Sequence, residues 1–147
     1  LRNIWPGKLV LKGVLDADDA KKAADLGVDA IVVSNHGGRQ LDGGPATVAA
    51  LPRIADAAGD RIEILFDGGI RSGQDVLKAL ALGARGCLIG RAYLYGLAAM
   101  GEAGVGKVIS LIEDELRATM AFTGVNDVAK VNRDILFDKV GDPRRDI

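Results

Sequence analysis

The chain has 147 residues, of which 48% are hydrophobic and 27% are charged, and this balance is typical of a single globular, soluble domain. Its formal net charge of -1 argues against nucleic acid as a partner, because nucleic-acid binding calls for a strong basic excess. The one cysteine, Cys87, lies inside an apolar run and has no second cysteine to pair with, which favours a reducing, cytoplasmic setting. No apolar run approaches the length of a membrane span, and the first residues carry no signal-peptide pattern.

Four short apolar runs alternate with segments of helical periodicity. The runs predict strands at residues 9–14, 30–33, 62–66 and 87–89. Helical spacing of apolar residues predicts helices at residues 16–26, from Pro45 onward, and at residues 72–83. The pair Ser72 and Asp75 forms the S-x-x-D pattern with which a helix begins. Pro52 lacks a backbone N–H, so we expect it to divide the second helix into two pieces.

The last third of the sequence predicts further helices. One begins at residues 90–91, and a stripe of apolar side chains at residues 105–120, with three- and four-residue spacing, predicts a longer helix that ends near Gly124. We expect that stripe to be core packing. Asn126 is placed to cap a short last helix through about residue 136.

The order strand, then helix, occurs four times, and no linker or low-complexity segment interrupts it. Such alternation implies parallel strands joined by right-handed crossovers. Strand starts are separated by roughly 20–35 residues, as β/α units require. We therefore predict an α/β fold of four β/α units with C-terminal helices, in one domain at residues 1–136, followed by a polar tail at residues 137–147.

The candidate site begins directly after the second predicted strand, with the sequence SNHGGRQLD at residues 34–42. It contains the only histidine of the chain, His36, and an arginine three residues later, Arg39, with a glycine pair between them. An imidazole can exchange a proton near neutral pH, and a guanidinium binds carboxylates through two parallel hydrogen bonds. This combination predicts an enzyme that acts on an organic acid. On the residues alone, the alternative that His36 is an ordinary surface or hydrogen-bonding residue stays open.

Polar residues also follow the other strands, at the edge where β/α proteins place their functional groups. The loops after the third and fourth strands each combine glycine, arginine and a helix start, which suits phosphate binding: Gly69 and Arg71 in the first, Gly90 and Arg91 in the second. Lys12, inside the first strand, indicates a bound anion, because a buried ammonium is costly without one. Lys12 can instead extend its amine to solvent, and Asp67 can instead cap its turn or pair with Arg71.

The motif at residues 33–42 resembles the signature of the FMN-dependent α-hydroxy acid dehydrogenases and oxidases. The resemblance continues in LKGV at residues 11–14, FDGGIRSG at residues 66–73 and IGR at residues 89–91, and it runs from about Trp5 to Leu136. Within that family, the segment at residues 83–124 looks most like the bacterial L-lactate dehydrogenases. The resemblance implies a flavin enzyme on a (β/α)₈ barrel, with FMN as cofactor, no metal, and an L-2-hydroxy acid as substrate. L-lactate is the first choice; glycolate or another 2-hydroxy acid, or mandelate, is the alternative.

The same resemblance implies a role for each matching residue. His36 corresponds to the active-site base and forms the substrate-binding pair with Arg39, which would bind the carboxylate of the acid. Lys12 corresponds to the lysine beside the N1–C2=O edge of the flavin, and Ser34 and Gly37 correspond to further flavin contacts. The ribityl chain and phosphate of FMN would be held by Asp67, Gly69, Arg71, Gly90 and Arg91.

The resemblance also implies what this stretch of sequence lacks. A complete (β/α)₈ barrel needs about 250 residues, whereas four β/α units correspond to its C-terminal half. The other half carries the tyrosines that contact the substrate and the aspartate that orients the catalytic histidine. Two sheet edges would stay unpaired, so we expect the chain to require that N-terminal half or to self-associate.

Other questions stay open at this point. The electron acceptor is a quinone, a cytochrome or oxygen, and peripheral contact of the full-length protein with the inner membrane is compatible with a cytoplasmic location. Two functions of another class also compete. The chain alone is either a half-barrel that binds FMN or another phosphate ligand without turnover, or a scaffold fragment without ligand affinity.

Overall fold

The computed structural model describes residues 1–137 and contains four strands in the predicted alternation with helices. The strands are β1 (Val10–Val14), β2 (Ala30–Val33), β3 (Glu63–Phe66) and β4 (Gly86–Cys87). The helices are α1 (Ala17–Asp25), α2 (Thr47–Ala58), α3 (Gly73–Ala81) and α4 (Arg91–Phe122). Short 3₁₀ turns lie at His36–Gly38, Val128–Lys130 and Arg133–Ile135.

The four strands form one parallel sheet in the order β1-β2-β3-β4. Each strand lies beside its successor in the sequence, which is the arrangement of consecutive units in a (β/α)₈ barrel. β2 is buried along its whole length, and its Ile31 and Val33 share the hydrophobic core with Leu51 and Ile54 of α2. The predicted α/β fold of four parallel β/α units, forming part of a barrel, is confirmed.

Side chains at two helix starts confirm the predicted boundaries. Asp16 accepts hydrogen bonds from the N–H groups of Asp18 and Asp19 (2.8 and 3.2 Å) and so begins α1. At α3, the hydroxyl of Ser72 accepts from the N–H of Asp75 (3.2 Å), and the Asp75 carboxylate accepts from the N–H of Ser72 (3.0 Å). This reciprocal capping box satisfies donors that a helix start otherwise leaves unpaired.

The prediction that Pro52 divides the second helix is wrong. α2 contains Pro52 without a break, and the helix begins after Pro45 instead of at it. The proline removes one backbone donor and so leaves the carbonyl of Val48 without its helical partner. Val48 is 48% exposed, which allows water to take that partner's place. The buried side chains of Leu51 and Ile54 hold the helix against the core on both sides of the proline.

The segment after β3 departs from the prediction in detail. β4 is shorter than expected, although the N–H of Leu88 still donates to the carbonyl of Phe66 (2.8 Å). The two helices predicted after it are the two arms of α4, which meet at a sharp bend at Met100 and Gly101. Near the bend the arms touch through glycines: a Cβ on Gly104 would lie 1.9 Å from the carbonyl oxygen of Gly96.

The second arm of α4 packs on α3 and is less buried than its apolar stripe predicted. Ile109, a member of the stripe, is 52% exposed, and its neighbours in the stripe are only partly buried. The two helices approach most closely at Gly73, where a Cβ would lie 2.0 Å from the backbone nitrogen of Leu116. The N–H of Gly73 also donates to the carboxylate of Glu115 (2.9 Å).

The prediction of a last helix through about residue 136 is wrong. Two separate 3₁₀ turns follow α4, and their capping residues are Asp127 and Asn132 instead of Asn126. Each of these side chains accepts a hydrogen bond from the N–H two residues later (2.9 and 2.8 Å), and such local bonds compete with a continuous helix. Arg133 then binds the carboxylate of Asp56 on α2 (2.6 Å). Apart from its first residue, the predicted polar tail lies outside the described residues. Within residues 1–137, none of the helices combines the length and the apolar character that a membrane crossing needs.

Cys87 at the end of β4 packs against the buried core, and this burial raises the pKa of its thiol from 9.0 to about 11. Below pH 9 the thiol is protonated in both the folded and the unfolded chain, so the pKa shift costs the folded chain no stability there. Between pH 9 and pH 11 the unfolded chain releases the proton while the folded chain keeps it, so the free energy of unfolding falls as the pH rises. The slope is at most about 1.4 kcal/mol per pH unit.

We expect Cys87→Ala to remove this part of the pH dependence. Urea unfolding of both proteins across this alkaline range measures how the free energy of unfolding of each changes with pH. Lysines and tyrosines are present in both proteins, so their titration cancels when the two slopes are subtracted. Parallel curves for the two proteins would contradict the expectation.

Candidate active site

Three residues predicted from different strands meet at the carboxyl ends of the sheet. The ammonium of Lys12 in β1 donates to Oγ of Ser34, directly after β2 (2.7 Å), and forms an ion pair with the carboxylate of Asp67, directly after β3. Asp67 thus pairs with Lys12 and not with Arg71. The Lys12 side chain stays 40% exposed, so its charge is accessible from the open side of this cluster.

Ser34 connects the cluster to the turn that carries the histidine. Its side chain is fully buried, and its Oγ accepts a second hydrogen bond from the N–H of His36 (3.1 Å). Asn35 closes the turn, because its Oδ1 accepts from the N–H of Gly37 (3.0 Å). The backbone at His36, Gly37 and Gly38 has φ of 54°, 69° and 78°, which is strained for histidine and suits glycine. The turn thereby fixes the direction in which the His36 side chain leaves the backbone.

The imidazole of His36 is exposed and lies over β1. Its Cε1 is 2.8 Å from the position that a Cβ on Gly13 would take. Among residues 1–137 no group forms a hydrogen bond with either ring nitrogen. Gly13 was not among the residues that we predicted for the site, although a glycine inside a strand pattern is a known sign of a bulge or a close approach.

Thr47 is a second residue that sequence reasoning missed. It is a fully buried residue at the start of α2, and its Oγ1 donates to the carbonyl of Gly68 in the loop after β3 (2.9 Å). A Cβ on Gly68 would lie 2.7 Å from that Oγ1 and 3.2 Å from Oδ1 of Asn35. Thr47 therefore ties the loop after β3 to the start of α2. A contact between segments this far apart leaves no local signal in the sequence.

The two helix starts that were predicted to bind phosphate differ from each other. At α3 the Asp75 carboxylate accepts from the N–H groups of Arg71 and Ser72 (both 3.0 Å), and Glu115 accepts from that of Gly73. These donors are occupied, and two carboxylates oppose a further anion. The backbone N–H groups of Arg71, Ser72 and Gly73 are therefore already paired with carboxylates.

The start of α4 keeps its capacity for an anion. α4 follows Gly90, and no side chain caps its first turn. A Cβ on Gly90 would have no atom within 4 Å, so the backbone there is open to a ligand. Free N–H groups at a helix start attract an anion, so of the two helix starts this one is the more favourable for a phosphate.

Three exposed arginines lie at this edge of the sheet: Arg39, Arg71 and Arg91. In the described part of the chain their guanidinium groups have no hydrogen-bond or ion-pair partner. By contrast, carboxylates pair with Arg2, Arg61, Arg85, Arg117 and Arg133. The three arginines follow the same edge as the cluster of Lys12, Ser34 and Asp67, but within residues 1–137 none of their side chains bonds to it. Unpaired cations beside a neutral ion pair attract anionic ligands.

A cleft of about 920 Å³ lies at the opposite edge, around the amino ends of β3 and β4. Its charged side chains include Glu63 and Arg85, which pair with each other (3.8 Å), and Arg61, which pairs with Asp25. None of the predicted site residues lines it. The candidate site at the carboxyl edge is therefore separate from this cleft.

The carboxyl edge fits FMN. Lys12 offers a cation for the flavin ring, and Arg71 and Arg91 offer guanidinium groups for a phosphate. Like Gly90, Gly69 would have no atom within 4 Å of a Cβ, which leaves room for a ligand against the backbone. Within residues 1–137 no three histidine, cysteine or acidic side chains cluster as metal ligands would. The fold and the candidate site together are typical of one class of protein, the β/α-barrel units that bind a phosphate-bearing cofactor.

Comparisons with known proteins identify the family. The sequence model of the FMN-dependent dehydrogenases matches residues 1–138, and the chain belongs to this family. The L-lactate dehydrogenase of Caulobacter vibrioides is 62% identical over 140 residues, and that of Azorhizobium caulinodans is 53% identical over 144 residues. The matches cover 95% and 98% of this chain but 37% of each relative, so the chain spans little more than a third of their length.

Solved structures agree with this assignment. A crystal structure of mandelate oxidase superposes with a TM-score of 0.86 at 46% identity, covering 90% of this chain and 40% of that one. A structure of (S)-mandelate dehydrogenase has a TM-score of 0.87 at 43% identity, with 91% and 37% covered. One of the mandelate oxidase structures contains an FMN adduct. The predicted family, its barrel fold and its FMN cofactor are confirmed.

Proposed function

We propose that this chain supplies the flavin-binding and base-bearing part of an enzyme that oxidises an L-2-hydroxy acid with FMN, and that the favoured reaction is L-lactate to pyruvate. The observation that carries the proposal is the turn after β2, which bonds His36 through Ser34 to the cluster of Lys12, Ser34 and Asp67 and ends at Arg39. The 62% identity to an L-lactate dehydrogenase supports lactate. The mandelate enzymes among the structural neighbours support mandelate as the alternative substrate. Glycolate and other 2-hydroxy acids are further alternatives.

Two residues would act on the substrate. Oxidation of a 2-hydroxy acid to a 2-keto acid removes two electrons and two protons, and FMN, when bound, would take up the two electrons together with one of the protons. Arg39 would bind the substrate carboxylate through two parallel N–H···O bonds and so orient the carbon that carries the hydroxyl. His36 would accept one of the two protons at a ring nitrogen.

The other predicted residues would hold the cofactor. Lys12, Ser34 and Gly37 would contact the flavin ring, where the ammonium of Lys12 opposes negative charge on the N1–C2=O edge. The ribityl chain and phosphate would be bound by Asp67, Gly69, Arg71, Gly90 and Arg91. The uncapped start of α4 supports the placement of the phosphate near Gly90 and Arg91.

A chimera tests the proposed reaction. In it, this chain replaces the matched 140-residue segment of the Caulobacter vibrioides L-lactate dehydrogenase. We expect the purified chimera to hold FMN, and we expect L-lactate to bleach its flavin absorption without oxygen while an equal amount of pyruvate forms. D-lactate, the matched control, should leave the flavin oxidised. A chimera that holds FMN but is reduced by none of L-lactate, glycolate and mandelate would contradict the proposal.

Arg39→Lys in the chimera is expected to raise the KM for L-lactate about 10- to 100-fold. Lysine keeps the positive charge but loses the two-pronged hydrogen bond, and one charge-assisted hydrogen bond is worth about 1.5–3 kcal/mol. Steady-state kinetics with L-lactate measure the change. Arg53→Lys is the control, because Arg53 is an exposed arginine on α2 that is not part of the site. Equal KM values in the two variants would show that Arg39 does not bind the substrate.

Binding without turnover is the second candidate, and it applies to these 147 residues expressed alone. Two observations favour it: the ring nitrogens of His36 have no hydrogen-bond partner among residues 1–137, and both His36 and Arg39 are exposed. We expect the chain alone to quench flavin fluorescence on FMN titration, and L-lactate to leave the bound flavin oxidised. Reduction by L-lactate would exclude this candidate, and unchanged flavin fluorescence would favour a scaffold without ligand affinity.

The chain expressed alone is also expected to self-associate. In the described part, β1 and β4 each pair on one side only, and Val10 and Leu11 of β1 are 48% and 45% exposed. Unpaired apolar strand edges recruit further strands. Size-exclusion chromatography with light scattering should show a dimer or larger species, and Leu11→Lys should weaken it by placing a charge on the edge. A stable monomer of the unmodified chain would contradict this expectation.

The electron acceptor and the location belong to the same proposal. We place the protein in the cytoplasm, with peripheral contact at the inner membrane if a quinone is the acceptor. Supplying oxygen, a quinone analogue or a cytochrome to the reduced chimera, and following the return of flavin absorption, separates the three acceptors.

A further inference from the structure

We propose that Gly13 is a positioning residue for His36, and that its missing side chain is what lets the imidazole lie against β1. The inference rests on the proposed role of His36 as the base. Gly13 would contact neither the substrate nor the reacting atoms itself. It would act through the orientation of the imidazole ring.

Gly13 is the extra residue of a bulge in β1. Lys12 pairs with Val32 and Val14 pairs with Val33, so the residue between them has no partner on β2. In a regular strand, residues 12 and 14 would face the same side of the sheet. The bulge instead lets Lys12 reach Ser34 and Asp67 while Val14 is buried in the core with Val33.

The bulge also brings the backbone of β1 under the histidine ring. A Cβ on Gly13 would lie 2.8 Å from Cε1 of His36, 3.5 Å from Nδ1 and 3.8 Å from Nε2. The first distance is too short for two carbon atoms, so any side chain on residue 13 displaces the ring. Gly13 also has φ of 100°, a conformation that L-residues rarely adopt.

The backbone of His36 has little freedom to move along with the displaced ring. Its backbone is in the left-handed region, with φ of 54°, and its N–H is held by Oγ of Ser34 (3.1 Å). Ser34 is fully buried and also accepts from Lys12. The ring would therefore move by rotation about its own side-chain bonds, away from its place over β1. A base displaced by about 1 Å loses much of its effect.

The single histidine makes the test direct. In the carbon–proton NMR spectrum of the uniformly labelled 147-residue protein, the His36 Cε1–H signal is the only one of its kind. We expect nuclear Overhauser contacts from this proton to the α-protons of Gly13. In Gly13→Ala we expect the contact to the α-proton of residue 13 to be lost and the Cε1–H signal to shift.

Gly124→Ala is the control for backbone strain alone, because Gly124 has φ of 72° and a Cβ there meets nothing within 4 Å. It should leave the His36 signal in place. The inference is overturned if the unmodified protein shows no contact between His36 and Gly13, an outcome that does not depend on whether Gly13→Ala folds. It is equally overturned if Gly124→Ala moves the signal as far as Gly13→Ala does. FMN titration of the same samples tests the proposed function separately.

Discussion

His36→Gln is expected to slow the reduction of bound flavin by L-lactate about 10²- to 10⁴-fold in the chimera, while FMN stays bound. Glutamine is polar and of similar size, but it cannot accept a proton under these conditions, and general-base catalysis is worth a factor of this order. The imidazole has no other assigned role, because it forms no hydrogen bond with residues 1–137. Anaerobic stopped-flow measurement of flavin bleaching at saturating L-lactate gives the rate constant.

Gln40→Ala is the matched control for this experiment, because Gln40 is an exposed residue of the same segment. It should leave the rate within a small factor of the parent chimera. If His36→Gln reduces its flavin as fast as Gln40→Ala does, His36 is not the base. If His36→Gln loses FMN as well, the histidine supports the structure of the turn, and the catalytic assignment fails for a different reason.

Local patterns predicted the elements that depend on local physics. β2 was located without error because four consecutive apolar residues were read as a buried strand. The starts of α1 and α3 were readable from Asp16 and from the pair Ser72 and Asp75, whose side chains bond within their own first turn. The alternation of strands and helices was sufficient for the parallel topology.

Tertiary contacts decided the features that the sequence could not reveal. Pro52 stays within a continuous helix because Leu51 and Ile54 are held in the core, and no local rule reports that packing. The same applies to the contact of Gly13 with His36 and to the bond from Thr47 to Gly68. The family and its FMN cofactor were nevertheless predictable, because the nine consecutive residues SNHGGRQLD resemble the family's signature.

The two helix starts show the limit of such motif reasoning. Both loops carry glycine and arginine, and from sequence they look equivalent as phosphate sites. The difference comes from Asp75, which is local, and from Glu115, which reaches α3 from the second arm of α4. Distant carboxylates of this kind decide whether a helix start is free to bind an anion.

Gly73→Ala is expected to destabilise the folded chain by about 3 kcal/mol or more, the upper range for overpacking in a packed interface. An added Cβ would lie 2.0 Å from the nitrogen of Leu116, 2.5 Å from the carbonyl carbon of Glu115 and 2.5 Å from the carbonyl oxygen of Ile112. All three are backbone atoms, so no side chain can rotate away, and α3 and α4 must separate instead. Urea unfolding at one fixed protein concentration measures the loss.

Gly106→Ala is the matched control, and it is expected to raise the free energy of unfolding, whereas Gly73→Ala lowers it. Gly106 lies on the exposed side of α4, and a Cβ there meets no atom within 4 Å. Alanine should therefore stabilise the helix by about 0.5–1 kcal/mol. If both substitutions change the free energy of unfolding by similar amounts, the close approach of the two helices at Gly73 is not present in solution.

The same pair of variants connects stability to the cofactor. α3 begins directly after the loop of Asp67, Gly69 and Arg71, and the N–H of Arg71 is bonded to Asp75 inside that helix. A displacement of α3 by Gly73→Ala would therefore move Arg71, and FMN affinity should fall under conditions in which the variant is still folded. Gly106→Ala leaves this loop untouched and should bind FMN as the parent chain does. Unchanged FMN affinity in folded Gly73→Ala would mean that the loop after β3 holds its position independently of α4.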